Sequence, residues 1–227
     1  MGVTVGSSIY NAPSIYESGE GGGEGGGEGL PISEIYNFPS GYTPLDKLVF
    51  DGKPAERVQV PLNGYRSSFN KTDNICELIG KINDITLAHS LLRYVPITPN
   101  DSVNKNDGEN YLSVYSNSSY AEVFKWISND LLSQKFTLKY TYNKLWLNEH
   151  SENISWFTTI NTKDSICICS SPSETSRDAH MDIFSFKIYN PNGNIIFFGI
   201  PAFDEANEKD GLLDIITNEF FPHEWYG

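Results

Sequence analysis

The chain of 227 residues carries a formal net charge of −13, with 39% hydrophobic and 13% aromatic residues. A field of that sign repels phosphate backbones and anionic lipid surfaces, and no Lys/Arg stripe offsets it, so neither nucleic acid nor a membrane is expected as a partner. No apolar run reaches the roughly 18 residues of a membrane span, and the N-terminus lacks the basic and apolar regions of a signal peptide. The expectation is a protein made and used from the cytosol.

Residues 1–45 contain five Glu and no Lys, Arg or His. Within them, residues 19–29 read GEGGGEGGGEG. Glycine has no side chain to bury against its backbone entropy, so a coil is expected there. Flexible-chain scaling gives such a run a root-mean-square span of roughly 17–20 Å, the dimension of a tether.

A motif flanks this tether on both sides. Ile9-Tyr10-Asn11-Ala12-Pro13-Ser14 returns as Ile35-Tyr36-Asn37-Phe38-Pro39-Ser40, with five of six positions the same, and Ile15-Tyr16 forms a half-copy. The Ile and Tyr side chains offer apolar area that a coil cannot bury, and each Pro holds its preceding residue extended. Such a segment suits strand addition or an extended groove on a partner. The expected partner-binding residues are therefore Ile9, Tyr10, Asn11, Pro13, Ile15, Tyr16, Ile35, Tyr36, Asn37 and Pro39. The alternative is that the second copy is the first edge strand of the following domain.

Residues 46–227 read as one α+β domain. Short apolar runs at 47–50 and 57–60, bounded by Gly or Pro, suggest edge strands. Thr72 or Asp73 could cap a helix over 74–84, with Ile75, Leu78, Ile79 and Ile82 on one face. The run 85–97 fits helix or strand equally, and 98–110 reads as a polar loop. A strand at 111–116 follows, then a helix over 120–133 capped by Ser119, with Ala121, Phe124, Ile127 and Leu131 as its apolar stripe. Alternation predicts a strand over 136–142, with further strands at 154–162 and 166–169. The turn Asn190-Pro191-Asn192-Gly193 predicts a hairpin between 182–189 and 194–200. A last helix over 211–220 precedes an aromatic tail at 221–226. The expected architecture is an antiparallel sheet or sandwich covered by two or three helices, behind a disordered glycine-rich arm.

Signals for chemistry are sparse, and neither catalytic nor metal-binding residues nor a cofactor are expected. Cys76, Cys167 and Cys169 make an odd count and read as buried thiols rather than a disulfide framework. His180-Met181-Asp182 lies a loop away from Cys167 and Cys169, but no motif of a cysteine enzyme surrounds them. Cys-x-Cys plus one His falls short of a zinc site, even with His223-Glu224 added. The acidic stretch 204–210 lacks the order of a calcium loop and is expected to cap the last helix. Trp126, Trp146, Trp156 and Trp225 could stack on sugars if exposed, though most are expected in the core.

The opening MGVTVGSSIYNAPSIYE, the glycine/glutamate tether and the compact β-rich remainder resemble accessory virion proteins of tailed bacteriophages, of the head-fibre, tail-fibre or decoration kind. The resemblance lies in layout and covers residues 1–45. It implies a virion protein assembled in the host cytoplasm, anchored to a capsid or tail protein through Ile9 to Pro13 and Ile35 to Pro39. It also implies a domain turned toward a host surface or glycan. No heptads or shaft repeats accompany it, which counts against a long trimeric fibre. A non-enzymatic structural or interaction protein, homo-oligomeric in its assembled form, is the leading expectation. An acidic inhibitor or immunity-type module engaging a basic partner is the alternative, and a small envelope-acting hydrolase is a third.

Overall fold

The computed structural model describes residues 36, 38–62, 74–84, 89–95, 101–105, 112–116, 119–123, 129–141, 144–154, 165–169 and 180–225. The chain divides into two units, Met1–Leu30 and Pro31–Gly227. All described residues belong to the second.

That unit is built from antiparallel strands. The long hairpin at its centre is the one its turn predicts: β13 (His180–Tyr189) and β14 (Ile195–Asp204). Gly193 supplies φ +80° at the bend, and the Asn190 side chain accepts hydrogen bonds from the Asn192 and Asn194 amides, both at 3.0 Å. From β13 the sheet runs outward through β4 (Ile75–Ile82), β9 (Phe136–Tyr140), β10 (Lys144–Leu147) and β11 (His150–Asn153). Two short strands, β1 (Tyr42–Pro44) and β2 (Leu48–Asp51), add to β14 and β13. From β14 the ladder continues through β15 (Lys209–Asp214) to β16 (Glu219–Glu224).

β16 then changes sheet. Its first four residues pair with β15, and His223 and Glu224 pair with Val58 and Arg57 of β3 (Arg57–Pro61). Beyond β3 lie β12 (Ser165–Cys169), β5 (His89–Val95), β6 (Asp101–Lys105), β7 (Leu112–Ser116) and β8 (Ser119–Val123). One apolar cluster takes residues from both sheets, including Leu78, Leu138, Phe186 and Phe197 from one and Val58, Val60, Ile166 and Ile168 from the other. At about 25 cal/mol per Å², each fully buried ring of this core contributes roughly 2–3 kcal/mol.

The expected α+β class is thereby overturned: the domain is an all-β antiparallel assembly. Its described helix is one turn, α1 (Asn129–Leu132). The helix expected over 74–84 is β4, the strand between β9 and β13. Leu78 and Ile79 are adjacent in sequence and both buried, because β4 is covered on both faces. A strand buried on two sides loses its alternation, and its apolar positions imitate a helical stripe. In the helix expected over 120–133, Ser119 starts β8 instead of capping, and only α1 is helical among the described residues.

The last expected helix, 211–220, is two strands and a turn. Asp204 and Asp214 head two hairpin loops of equal length, closing the register pairs Asp204↔Lys209 and Asp214↔Glu219. The fourth loop residue is left-handed in each, Glu208 at φ 51° and Asn218 at φ 60°. Asp204 accepts from the Ala206 amide at 3.0 Å and the Asn207 side chain at 2.7 Å. Asp214 accepts from the Ile216 amide at 3.2 Å and the Thr217 hydroxyl at 2.8 Å. Residues 204–210 thus form a turn, not a helix cap.

Three smaller differences follow. Residues 57–60 belong to an interior strand, flanked by β12 and β16, rather than an edge. The polar stretch expected to be a loop contains β6, held by backbone pairing to β5 and β7. The strands expected at 111–116, 136–142 and 166–169 are present as β7, β9 and β12. Of the strand expected over 154–162, only residue 154 is described, and it lies just past β11.

Candidate functional site

Of the ten expected partner-binding residues, Tyr36 and Pro39 are among those described. Ile9, Tyr10, Asn11, Pro13, Ile15, Tyr16, Ile35 and Asn37 lie outside them. The Tyr36 ring meets Phe198 of β14 edge-on, with centroids 5.6 Å apart and planes at 85°. The Pro39 carbonyl accepts from the Tyr42 amide at 3.3 Å, so the chain passes from the second motif copy directly into β1.

Phe198 is one end of a row of side chains crossing five strands on the outer face of the sheet. Register pairs define it: Phe198↔Lys187, Lys187↔Glu77, Glu77↔Lys139 and Lys139↔Trp146. Their sequence neighbours Phe197, Ile188, Leu78, Leu138 and Leu147 point into the core. The Lys187 ammonium lies 4.6 Å from the Phe198 ring centroid. Glu77 has a side chain only 7% exposed and takes Lys139 at 3.0 Å and Lys187 at 3.4 Å. The Tyr189 hydroxyl donates to it at 3.2 Å. Burial first, and then the Glu77 charge and hydrogen bond, push the Tyr189 phenol well above its usual range. At the other end the Lys144 ammonium stands 5.0 Å from the Trp146 centroid. The row therefore reads aromatic, lysine, glutamate, lysine, aromatic.

A second cluster pins the two sheets together. His223 is 2% exposed, and its Nε2 lies 2.8 Å from Glu56, whose side chain is fully buried. The separation is that of an ion pair. Its Nδ1 lies 3.2 Å from Asp210. Burial alone would lower the imidazole pKa, but hydrogen bonds and charge from Asp210 and Glu56 outweigh it and raise the value above 6.5. The other Glu56 oxygen accepts from three consecutive amides, Asp51, Gly52 and Lys53, at 2.9–3.1 Å. Those bonds satisfy one carboxylate oxygen inside the fold and fix the side chain beneath the Asp51-Gly52-Lys53 bend.

An open cleft of about 330 Å³ lies beside this pin, between Arg57, Asp210, Glu224 and Trp225. Its groups engage one another. Arg57 pairs with Glu224 at 3.1 Å, and Lys53 lies 4.1 Å over the Trp225 ring.

The cysteine and histidine signals resolve into packing. Cys76, Cys167 and Cys169 are buried and outside any disulfide. Burial first, then the charges of Glu56 and Cys167, push the Cys169 thiol well up, and its sulfur touches the Met181 sulfur at 3.2 Å. Asp182 pairs with Lys47 at 2.7 Å and accepts from Asn83 at 2.9 Å. Among the described residues, no group of three or more His, Cys, Asp or Glu is arranged to hold a metal ion. Trp126 and Trp156 lie outside the described residues.

Sequence reasoning singled out Tyr36 and Trp146 but not the row between them. Register is a tertiary property, and no local pattern announces that residues 77, 139, 187 and 198 stand side by side. Glu56 was also missed; its one signal is its place at the end of the tight Gly52-Lys53-Pro54-Ala55 bend.

The class these observations define is an all-β antiparallel domain. No protein-family model matches the chain, and no curated protein matches it. Among solved structures, Trypanosoma rangeli sialidase in complex with sialic acid is similar over 66% of this chain and 26% of its own, at 12% identity and TM-score 0.49. The same enzyme's covalent intermediate with 2,3-difluorosialic acid gives 11% identity and TM-score 0.48. A Mycobacterium abscessus protein assigned as a β-glucanase is similar over 52% of this chain and 64% of its own, at 14% identity and TM-score 0.34. The chain spans about a quarter of the sialidase's length.

Proposed function

We propose that this chain is a non-enzymatic interaction protein that docks on another protein through its N-terminal arm and presents the β-domain beyond it. A phage particle is the setting that the anchor-and-tether layout resembles, with a capsid or tail protein as the arm's partner. The observation that carries the reading is the doubled Ile-Tyr-Asn-x-Pro-Ser motif together with the packing of Tyr36 on Phe198. A motif whose tyrosine fits an aromatic on a sheet face in its second copy is suited to the same contact in its first. The burial of Cys167 and Cys169 supports the non-enzymatic part, since a buried thiol of raised pKa is a poor nucleophile.

The test is a pull-down from source-cell and particle lysates, comparing the full chain with a Tyr10→Ala/Tyr16→Ala double variant. Both changes lie outside the described strands, and matching thermal melts of the two chains show that the domain is intact. Recovery of a capsid or tail protein by the wild type, and its loss from the variant, supports arm anchoring. Equal recovery by both chains overturns it and moves attention to the acidic surface of the domain.

A further inference from the structure

The outer-face row ends in an aromatic ring beside a lysine on each side, and Tyr36 packs on one of the two rings. At the Phe198 end, Tyr36 of the second motif copy packs edge to face, with Lys187 against the same ring. At the other end, Trp146 is half-buried in β10, with Lys144 over its ring and Lys139 opposite it in register. Each chain carries a second tyrosine in the same motif context, Tyr10 in Ile9-Tyr10-Asn11-Ala12-Pro13-Ser14.

We propose that the Trp146 end receives residues 9–14 of a second copy of this chain, with Tyr10 against the indole as Tyr36 is against Phe198. The inference rests on the proposed docking role of the arm and gives its first motif copy a second chain as partner in place of a capsid or tail protein. Three observations favour this occupant. The motif already fits an aromatic–lysine seat on this same sheet face. Charge is complementary, because residues 1–45 hold five Glu, all C-terminal to residue 14, and no Lys, Arg or His, while the Lys144 ammonium stands by Trp146; Lys139 beside it is paired with Glu77. As the coil its composition implies, the glycine run would span roughly 17–20 Å, enough for the first copy to meet a neighbour while the second stays with its own domain. Each chain then brings one such tyrosine motif and one such seat. The contact joins different patches on the two molecules, so it closes as a reciprocal two-chain exchange or a larger ring, or stays open as a chain.

Sedimentation velocity on the purified full chain, across low to high micromolar concentrations, tests this. The expected result is a mass that rises with concentration for the wild type, with association weakened at least tenfold in Tyr10→Ala and in Trp146→Ala. A thermal melt of Tyr10→Ala that matches wild type shows that a loss of association does not come from misfolding. An equimolar mixture of the two variants keeps one intact motif and one intact seat, and should restore a dimer and nothing larger. Lys144→Glu should weaken association, and added salt should weaken the wild type. A wild type that stays monomeric throughout overturns the inference, as does Tyr10→Ala associating like wild type or a mixture that fails to pair. Monomeric protein whose Tyr10→Ala/Tyr16→Ala variant still loses a particle protein would sink this inference alone and leave arm anchoring standing.

Discussion

His223 sits in a position where its charge is a folding term. Glu56 faces one ring nitrogen at 2.8 Å and Asp210 the other at 3.2 Å, which raises the imidazole above 6.5. A histidine whose folded pKa is raised binds its proton more tightly in the native state. That contribution is fully present below pH about 6.5 and is lost as pH climbs through the raised value. Urea denaturation of wild type and His223→Gln should therefore show a stability gap that is widest on the acid side and narrows upward. At its widest it should be about 3 kcal/mol, since removing one member strands a buried carboxylate. A gap independent of pH would mean the ring is neutral in the fold. The cysteines give a second test at this scale. All three are buried, so a thiol reagent near neutral pH should label none in the native protein and all three after denaturation. Rapid native labelling of Cys167 or Cys169 would reopen the nucleophile reading.

The two hairpins β14–β15 and β15–β16 turn on aspartates that do different amounts of work. Asp204 serves its own turn, through Ala206 and Asn207. Asp214 also accepts from the Phe198 amide of the neighbouring strand at 3.0 Å, and it is fully buried. Asp214→Ala should cost about 3 kcal/mol, because it orphans donors inside the fold. Asp204→Ala should cost less, and paired thermal melts would rank the two. Gly211, between these turns, faces the Phe221 carbonyl and the Phe220 ring across β16. An added methyl there meets backbone, so Gly211→Ala should destabilise by about 2–3 kcal/mol; unchanged melting would mean the strands can separate at no cost. These turns also explain why a helix looked plausible over 211–220. Leu212, Leu213, Ile215 and Ile216 fall on helical spacing, while the breakers are the spaced aspartates and the left-handed Asn218, which an apolar count passes over. The hairpin at Asn190 to Gly193 was legible because its turn residues act locally and leave no helical alternative. β9 was legible because one face packs and the other is partly open, the condition for clean alternation. β4 was not, because both its faces are covered.

Over the whole molecule, the motif whose second copy brings Tyr36 to the sheet was readable in the sequence. The row it joins was not, since its members come from positions 77, 139, 146, 187 and 198 and meet only through strand order. The same holds for the passage of β16 between sheets, which brings Glu224 to Arg57 across 167 positions of chain. That junction has a kinetic meaning. Closing so long a loop is entropically unfavourable until both sheets have largely formed, so the β3–β16 pairing should be among the last contacts made in folding. Weakening it with Glu224→Ala should then speed unfolding and leave the refolding rate nearly unchanged, a division visible in the two arms of a chevron plot. Until the junction closes, β3 and β16 each present an open edge. In refolding at high concentration, the sites for off-pathway pairing between chains are therefore these two strands, which in the finished domain are interior.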